Sequence, residues 1–367
     1  MHWYRQAILN LILACGLFNN STIAQTPSVD KELLANISIM ETVLDRLLFP
    51  ERNQFPLRDA SARGYYLMNY GVIFNVRSSP FTNRIVVHNN LRKFYESHED
   101  NMVYIETKDD EKGKATDFAQ EIVKLKKSIA RFMGSWTAAV IALPPQEKVT
   151  VIVDFENHML PLAGRGEESI KQLIASVSIA DIIDYRRGRL TDDEFIKRIS
   201  FQEQRSMDED VAILSNVIRT SLEQPADQFP WGISGEVRGI YFKGYGAVFF
   251  ADVIPGRSSA FAYKEFLDRV KDRSLTVRGS ELASKVDEFK KEKIEQKLIQ
   301  LMSNYGFNLR NLATDEWLEV AINYKGNPID GQYSRIIFKV QKRTIDDFQR
   351  EKIKFDQFKK LVQVVYY

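Results

Sequence analysis

The stretch RGYYLMNYGVIF, residues 63–74, recurs later in the chain as RGIYFKGYGAVF, residues 238–249. Half of the aligned positions are identical, and the alignment needs no gap. Each copy places apolar and aromatic residues on both sides of two turn positions, Met68-Asn69 in the first copy and Lys243-Gly244 in the second. Asn and Gly are the residues that best tolerate a positive φ. We therefore expect both stretches to form β-hairpins.

The segments around the hairpin are repeated as well. Before it, apolar residues recur at helical spacing in both halves: Ile37, Met40, Leu44 and Leu48 in the first, Val211, Leu214, Ile218 and Leu222 in the second. Near the end of each half, IIDYRR at residues 182–187 parallels IDDFQR at residues 345–350. The blocks follow one another in the same order, which indicates a tandem duplication with halves 30–203 and 206–367. Two copies are too few for a solenoid, so we expect a pseudo-two-fold pair.

Each half is predicted to contain the elements α-ββ-α-ββ-α. The first helix covers residues 29–48 or 207–222, and the hairpin and a second long helix follow it. The second strand pair covers 148–155 with 172–178 in the first half and 316–324 with 333–341 in the second. Short helices close each half, and Thr191-Asp192-Asp193-Glu194 has the pattern of a capping box. Hairpins between helices are typical of α+β folds, so we expect an antiparallel sheet in each half.

The N-terminal segment has the pattern of a secretory signal peptide. Arg5 precedes an apolar stretch from Ala7 to Phe18. The small residues Thr22 and Ala24 then occupy positions −3 and −1 before Gln25. We predict cleavage after Ala24, which makes residues 1–24 the signal peptide and the protein an exported one, periplasmic or extracellular. In an alternative interpretation, Ile12-Leu13-Ala14-Cys15 is a lipobox and the protein is anchored through Cys15. No later stretch is apolar enough to predict a membrane span. A peripheral contact of the protein with a membrane surface is compatible with this sequence.

The composition excludes several functional classes. There are 51 Lys and Arg against 49 Asp and Glu, a net charge of +2, and a nucleic-acid-binding protein would usually be far more basic. The single cysteine rules out an intramolecular disulfide and a cysteine-rich zinc site. The sequence contains no nucleophile elbow, HExxH motif, phosphate-binding loop or dinucleotide fingerprint, and we expect no cofactor.

One group of residues could carry chemistry. Asp154, Glu156 and His158 alternate at the end of a predicted strand, where a period of two puts them on one face. Carboxylates and an imidazole so placed could share a metal ion, or a carboxylate could orient the imidazole. The alternative is a solvated strand end with no function. The corresponding region of the second half has Asn323, Lys325 and Asn327.

A specific site is expected where the halves differ, and the loop at residues 156–170 is the best candidate. The second half joins its last two strands through the shorter Lys325–Gly331, which is rich in turn-forming residues. The longer loop carries the apolar run Met159–Leu162. His158, Arg165 and Glu167 lie beside this run and could orient a polar ligand, so they are our candidate binding residues. A solvated insertion without function is the alternative.

Two functions follow from these observations. The first is an exported, non-catalytic binding or scaffold protein for an unknown protein or small-molecule ligand, built by internal duplication. The second is a metal-dependent or acid/base hydrolase that uses Asp154, Glu156 and His158.

Overall fold

A computed structural model describes the chain in two compact units, Val29–Asp208 and Glu209–Tyr367, which we call the first and second units. Both have an α+β architecture, with eight α-helices and two mixed sheets in the described part of the chain. No helix among the described residues is both long enough and apolar enough to span a membrane. The structure describes residues 30–48, 62–77, 111–155, 170–223, 231–255, 279–324 and 334–366.

The first unit contains four α-helices and five strands among its described residues. In chain order they are α1 (Lys31–Leu48), β1 (Ala62–Leu67), β2 (Gly71–Arg77), α2 (Glu111–Ser135), β3 (Lys148–Asp154), β4 (Gln172–Ser178), α3 (Ile179–Arg186), α4 (Asp192–Arg198) and β5 (Ser200–Gln204). A single 3-10 turn, Thr137–Val140, follows α2.

The sheet of the first unit has the order β1-β2-β3-β4-β5. Neighbouring strands are antiparallel except for β2 and β3, which are parallel. Helix α1 buries the predicted stripe of Ile37, Met40, Leu44 and Leu48, and Ile129 and Phe132 of α2 are fully buried in the same core. The helical spacing in the sequence therefore did identify the core-facing side of α1.

The second unit contains the same kinds of elements. They are α5 (Glu209–Leu222), β6 (Trp231–Ile233), β7 (Arg238–Phe242), β8 (Gly246–Pro255), α6 (Gly279–Tyr305), β9 (Trp317–Tyr324), β10 (Arg335–Gln341), α7 (Lys342–Gln349), α8 (Phe355–Leu361) and β11 (Gln363–Tyr366). Its sheet has the order β11-β10-β9-β8-β6, and β7 also pairs with β8. Strands β8 and β9 are parallel.

The prediction of purely antiparallel sheets is wrong. In each unit a long helix, α2 or α6, joins the hairpin to the second strand pair. This helix returns the chain to the end of the sheet at which the second hairpin strand, β2 or β8, begins. The next strand then enters from that same end and must run parallel. The sequence prediction treated the two strand pairs as separate hairpins and missed the pairing between them.

The prediction also missed the short strands at the sheet edges. Strands β5, β6 and β11 have three to five residues and little or no apolar alternation, so periodicity did not detect them. The predicted hairpins are confirmed. Asn69 and Gly244 occupy corresponding turn positions with φ of 67° and 82°.

Candidate functional site

Asp154 is the one described member of the predicted site residues. It is the last residue of β3, and its side chain is only 2% exposed. Gln172, its direct neighbour on β4, donates a hydrogen bond from Nε2 to Asp154 Oδ1 over 2.7 Å. The interpretation of this strand end as a solvated face is therefore wrong for Asp154, which is a buried, hydrogen-bonded carboxyl.

The other predicted residues, Glu156, His158, Arg165 and Glu167, lie outside the described residues, as do the rest of residues 156–169. Within the described ranges, no three His, Cys, Asp or Glu side chains form a group that could hold a metal ion. The proposed metal ligands thus stay a prediction.

A carboxylate also lies at the matching end of the second sheet. Asp252 of β8 is 4% exposed and accepts a hydrogen bond from Asn323 Nδ2 of β9 over 3.0 Å. Asp252 and Asn323 are register partners, as are Asp154 and Gln172. Both sheets therefore bury a carboxylate against a carboxamide near the end of the parallel strand pair. A carboxamide N–H compensates part of the desolvation of the buried carboxylate.

At the opposite end of each parallel pair, a glutamate ties the hairpin to the neighbouring strand. In the first unit, the Tyr66 hydroxyl donates a hydrogen bond of 3.2 Å to the Glu147 carboxyl. In the second unit, the Tyr241 hydroxyl donates one of 3.1 Å to Glu316. Glu316 also accepts from the backbone N–H of Gly244 and of Ala313. These glutamates fix the turns of the two hairpins, and this role of the repeated tyrosines was not predicted.

Burial and hydrogen bonding change the acidity of the first of these pairs. Burial, together with the nearby Glu147 charge and hydrogen bond, raises the pKa of Tyr66 to about 12. Burial raises the pKa of Glu147 as well, and the hydrogen bonds from Tyr66 and from the Asn69 backbone partly oppose this increase. Both groups are thus held in their neutral forms over a wider pH range than in water.

The second repeated tyrosine of each unit contacts a buried polar cluster, and here the units differ chemically. In the first unit, the Tyr70 hydroxyl lies 3.0 Å from Thr150 Oγ1, which lies 2.9 Å from Ser176 Oγ. All three are neutral hydroxyl groups. Burial raises the pKa of Tyr70, and its hydrogen bonds to Thr150 and Ser176 oppose the increase in part.

In the second unit, the corresponding cluster contains charged groups. Tyr245 donates to Glu319 Oε1 over 2.5 Å, and Lys339 Nζ lies 2.7 Å from the same oxygen. Lys339 also donates to the Tyr245 hydroxyl over 2.9 Å. Its ammonium group lies 4.8 Å from the centre of the Tyr245 ring and 4.3 Å from that of Trp317. Glu319 and Lys339 are at most 5% exposed.

This arrangement holds an ammonium group between a carboxylate, a phenol and two aromatic faces. Each of these features stabilises a cation in a desolvated position. A signal for it was present in the sequence. Glu319 and Lys339 are single charges in the middle of apolar strands, and on neighbouring strands such residues are expected to pair.

Comparisons with known proteins give little guidance. The sequence matches no protein family and no curated protein. Among solved structures, the chain is matched to the crystal structure of a sex pheromone staph-cAM373 precursor, with 9% sequence identity over 94% of this chain and 96% of that one. The TM-score of this match is 0.19, so it supports no statement about the function of the chain.

Proposed function

We propose that the chain is an exported, non-catalytic binding or scaffold protein built from two copies of one α+β unit. The observation that carries the proposal is that buried carboxylates of both units are hydrogen-bonded within the fold. Asp154, Asp252, Glu316 and Glu319 each accept hydrogen bonds from side chains or backbone of their own unit. Such engagement stabilises a scaffold, whereas an acid/base catalyst must exchange protons with a substrate.

Two sets of contacts support the duplication. In the hairpins, Leu67 pairs with Gly71 and Phe242 with Gly246, and the two glycines then pair with Lys148 and Trp317 at the start of the parallel strand. Where the first helix of each unit meets the hairpin, a Cβ added to Gly64 of β1 would overlap Ile37 of α1, and one added to Gly239 of β7 would overlap Val211 of α5. Ile37 and Val211 are the residues that the repeat in the sequence matches.

Ligand specificity in a duplicated scaffold is expected where the copies differ. One clear difference in sequence is the loop 156–170 with His158, Arg165 and Glu167, against the short Lys325–Gly331. We propose that this loop binds a protein or small-molecule partner. Loops vary between related copies without loss of the fold, which makes them the usual carriers of specificity.

Replacing residues 156–169 by the sequence of Lys325–Gly331, with the buried Ile170 kept, tests the binding role. The free energy of unfolding should change by only about 1 kcal/mol, because loop closure entropy depends weakly on length. Ligands that raise the melting temperature of the unmodified protein in a screen should no longer do so. A control variant carries a Gly/Ser segment of equal length in place of 325–331 and should keep the response. If the loop replacement keeps it too, the loop is not the binding site.

A metal titration separates the proposal from the hydrolase alternative. We would measure the melting temperature with Mg²⁺, Ca²⁺, Mn²⁺ and Zn²⁺, for the unmodified protein and for Asp154→Asn. The variant places an amide where the second unit has Asn323, so it should fold. We expect no cation effect that depends on Asp154. A stabilisation that Asp154→Asn abolishes would favour the hydrolase that uses Asp154, Glu156 and His158.

Export is tested by N-terminal sequencing of the protein recovered outside the cytoplasm. A start at Gln25 is the expected result. A start at a lipid-modified Cys15 would show the lipoprotein alternative, and an intact Met1 in the cytosol would contradict export.

A further inference from the structure

The segment that follows α2 in the first unit exposes a set of apolar side chains. Trp136 is 48% exposed and Ile141 is 41% exposed. Ala139 and Pro144 are exposed as well. No charged residue occurs anywhere from position 132 to position 146. Apolar residues that are exposed together, with no charge among them, mark an interaction site more often than isolated ones do.

We propose that residues 136–145, which we call the Trp136 turn, bind a lipid bilayer with anionic headgroups by inserting Trp136 and Ile141 between the lipids. This surface is separate from the loop 156–170 for which a ligand is proposed above. Either proposal can therefore fail without the other.

The fold holds the exposed side chains of the Trp136 turn outward. Residues three apart lie on the same side of a 3-10 helix. Thr137 and Val140 face inward together and are fully buried, and the Thr137 hydroxyl donates to the carbonyl of Met133 in α2. Trp136 and Ala139 are left on the outer side. Because the turn is already ordered, binding a bilayer would cost little conformational entropy.

Exposed cations lie beside the Trp136 turn. Residues 122–146 include four basic residues and no acidic one. One of the four, Arg131 near the end of α2, is exposed. Arg186 of α3 is also exposed, and its Nη1 donates to the carbonyl of Ser135 over 3.3 Å. Arginines next to an inserted apolar residue strengthen attachment to anionic lipid headgroups.

Two carboxyl groups adjoin the Trp136 turn, and both are engaged inside the first unit. Glu147, which follows the turn in the chain, is buried. Asp181 comes next to Ala180, whose backbone N–H donates to the Pro145 carbonyl. The carboxylate of Asp181 accepts a hydrogen bond from the hydroxyl of Ser178 at the start of α3. Neither carboxyl is therefore placed to repel an anionic surface strongly.

The segment that follows α6 in the second unit has a different chemistry. Tyr305 and Phe307 are exposed there, at 42% and 43%. Close behind them in the chain, Arg310 forms an ion pair of 2.6 Å with Asp210. Inserting this segment into a bilayer would dehydrate that ion pair, which is costly. We therefore assign membrane binding to the first unit, and the second unit supplies a matched control.

A bilayer fits the Trp136 turn better than a protein partner does. Tryptophan is enriched at membrane–water interfaces, where its ring reaches the headgroup level. The turn is a short 3-10 turn followed by a loop. It offers neither a strand edge nor a long helix face, which are the common docking elements for a segment of another protein.

Vesicle binding tests the proposal. We would use the chain from Gln25 onward, which keeps every described element, and measure co-sedimentation with vesicles of phosphatidylcholine alone or mixed with phosphatidylglycerol. Binding should be stronger to the mixed vesicles, and this preference should decrease as added salt screens the arginines. Arg131→Gln should lower the partition coefficient about fivefold at low salt and have little effect at high salt.

Trp136→Ala should lower the partition coefficient roughly tenfold at every salt concentration, because the buried area of the indole is lost. The Trp136 side chain makes no capping hydrogen bond, so this variant should fold. Phe307→Ala is the matched control, since it removes the exposed aromatic residue after the other long helix, and it should leave binding unchanged.

A second measurement follows Trp136 itself. The difference between the fluorescence of the unmodified chain and that of Trp136→Phe gives the emission of Trp136, which lipids with brominated acyl chains should quench. Absence of quenching overturns the proposal, as does equal vesicle binding by Trp136→Ala and the unmodified chain. If the unmodified chain does not bind vesicles but forms a concentration-dependent dimer that Trp136→Ala abolishes, the turn is a protein interface and the proposal is wrong.

Discussion

Gly71 and Gly246 show how a single residue allows the parallel strand to pair. Their φ values are +124° and +146°, which residues other than glycine rarely adopt. A Cβ at Gly71 would overlap the backbone of Lys148, and one at Gly246 would overlap that of Trp317. The glycines therefore permit the close approach of β3 and β9 at the point where each parallel pair begins.

Gly71→Ala and Gly246→Ala should each lower the free energy of unfolding by at least about 2 kcal/mol. Strained backbone adds roughly 1–3 kcal/mol and overpacking a similar amount, well above the effect of propensity alone. Urea unfolding measures the loss. Gly188→Ala is the control, because Gly188 also has a positive φ, +70°, but an added Cβ there has no heavy atom within 4 Å. Equal losses at all three positions would show that close approach is not the cause.

At the scale of elements, the hairpin of the first unit is tied to the start of β3 by Tyr66 and Glu147. Because the pKa of Glu147 is raised in the folded chain, the folded state binds its proton more tightly than the unfolded state does. The contribution of Glu147 to stability is therefore greatest below its ordinary pKa and decreases as the pH rises through the raised value.

Glu147→Gln should remove this pH dependence. The difference in unfolding free energy between variant and unmodified protein should shift in favour of the variant from about pH 4.5 upward and then level off. Tyr66→Phe tests the cause. The Tyr66 hydrogen bond lowers the pKa of Glu147, so removing it should extend the interval to higher pH. Urea unfolding across a pH series measures both, and identical pH profiles for all three proteins would contradict the prediction.

How far the sequence predicted these elements depended on the type of signal. The stripe Ile37–Leu48 and the turn positions Asn69 and Gly244 were local signals, and the structure confirms both. The parallel pairing of β2 with β3 depends on contacts across more than seventy residues, which no local period encodes. For the candidate site, the sequence singled out Asp154 but not its burial, because burial follows from the strands that flank β3.

At the scale of the whole molecule, the two units have the same strand registers but different buried chemistry. Thr150 and Ser176 are register partners in the first unit, and Glu319 and Lys339 are register partners in the second. Each pair contacts the repeated tyrosine of its own unit, Tyr70 or Tyr245. If the units are copies, a neutral pair and an ion pair are two solutions for the same position, and either solution should work only as a complete pair.

Transferring the hydroxyl pair into the second unit tests this interpretation. Glu319→Thr or Lys339→Ser alone leaves a buried charge without its partner, and each should lower the free energy of unfolding by about 3–5 kcal/mol. The double variant should lose less than the sum of the two, by a coupling energy of roughly 1–3 kcal/mol, since no charge is left unpaired. The control cycle is Thr150→Ala with Ser176→Ala, in which only neutral hydroxyls are lost and the coupling should be about 1 kcal/mol or less. Urea unfolding of both sets measures the two coupling energies. Additive losses in the second unit would mean that Glu319 and Lys339 are stabilised separately by other neighbours, and the correspondence with Thr150 and Ser176 would then have no energetic basis.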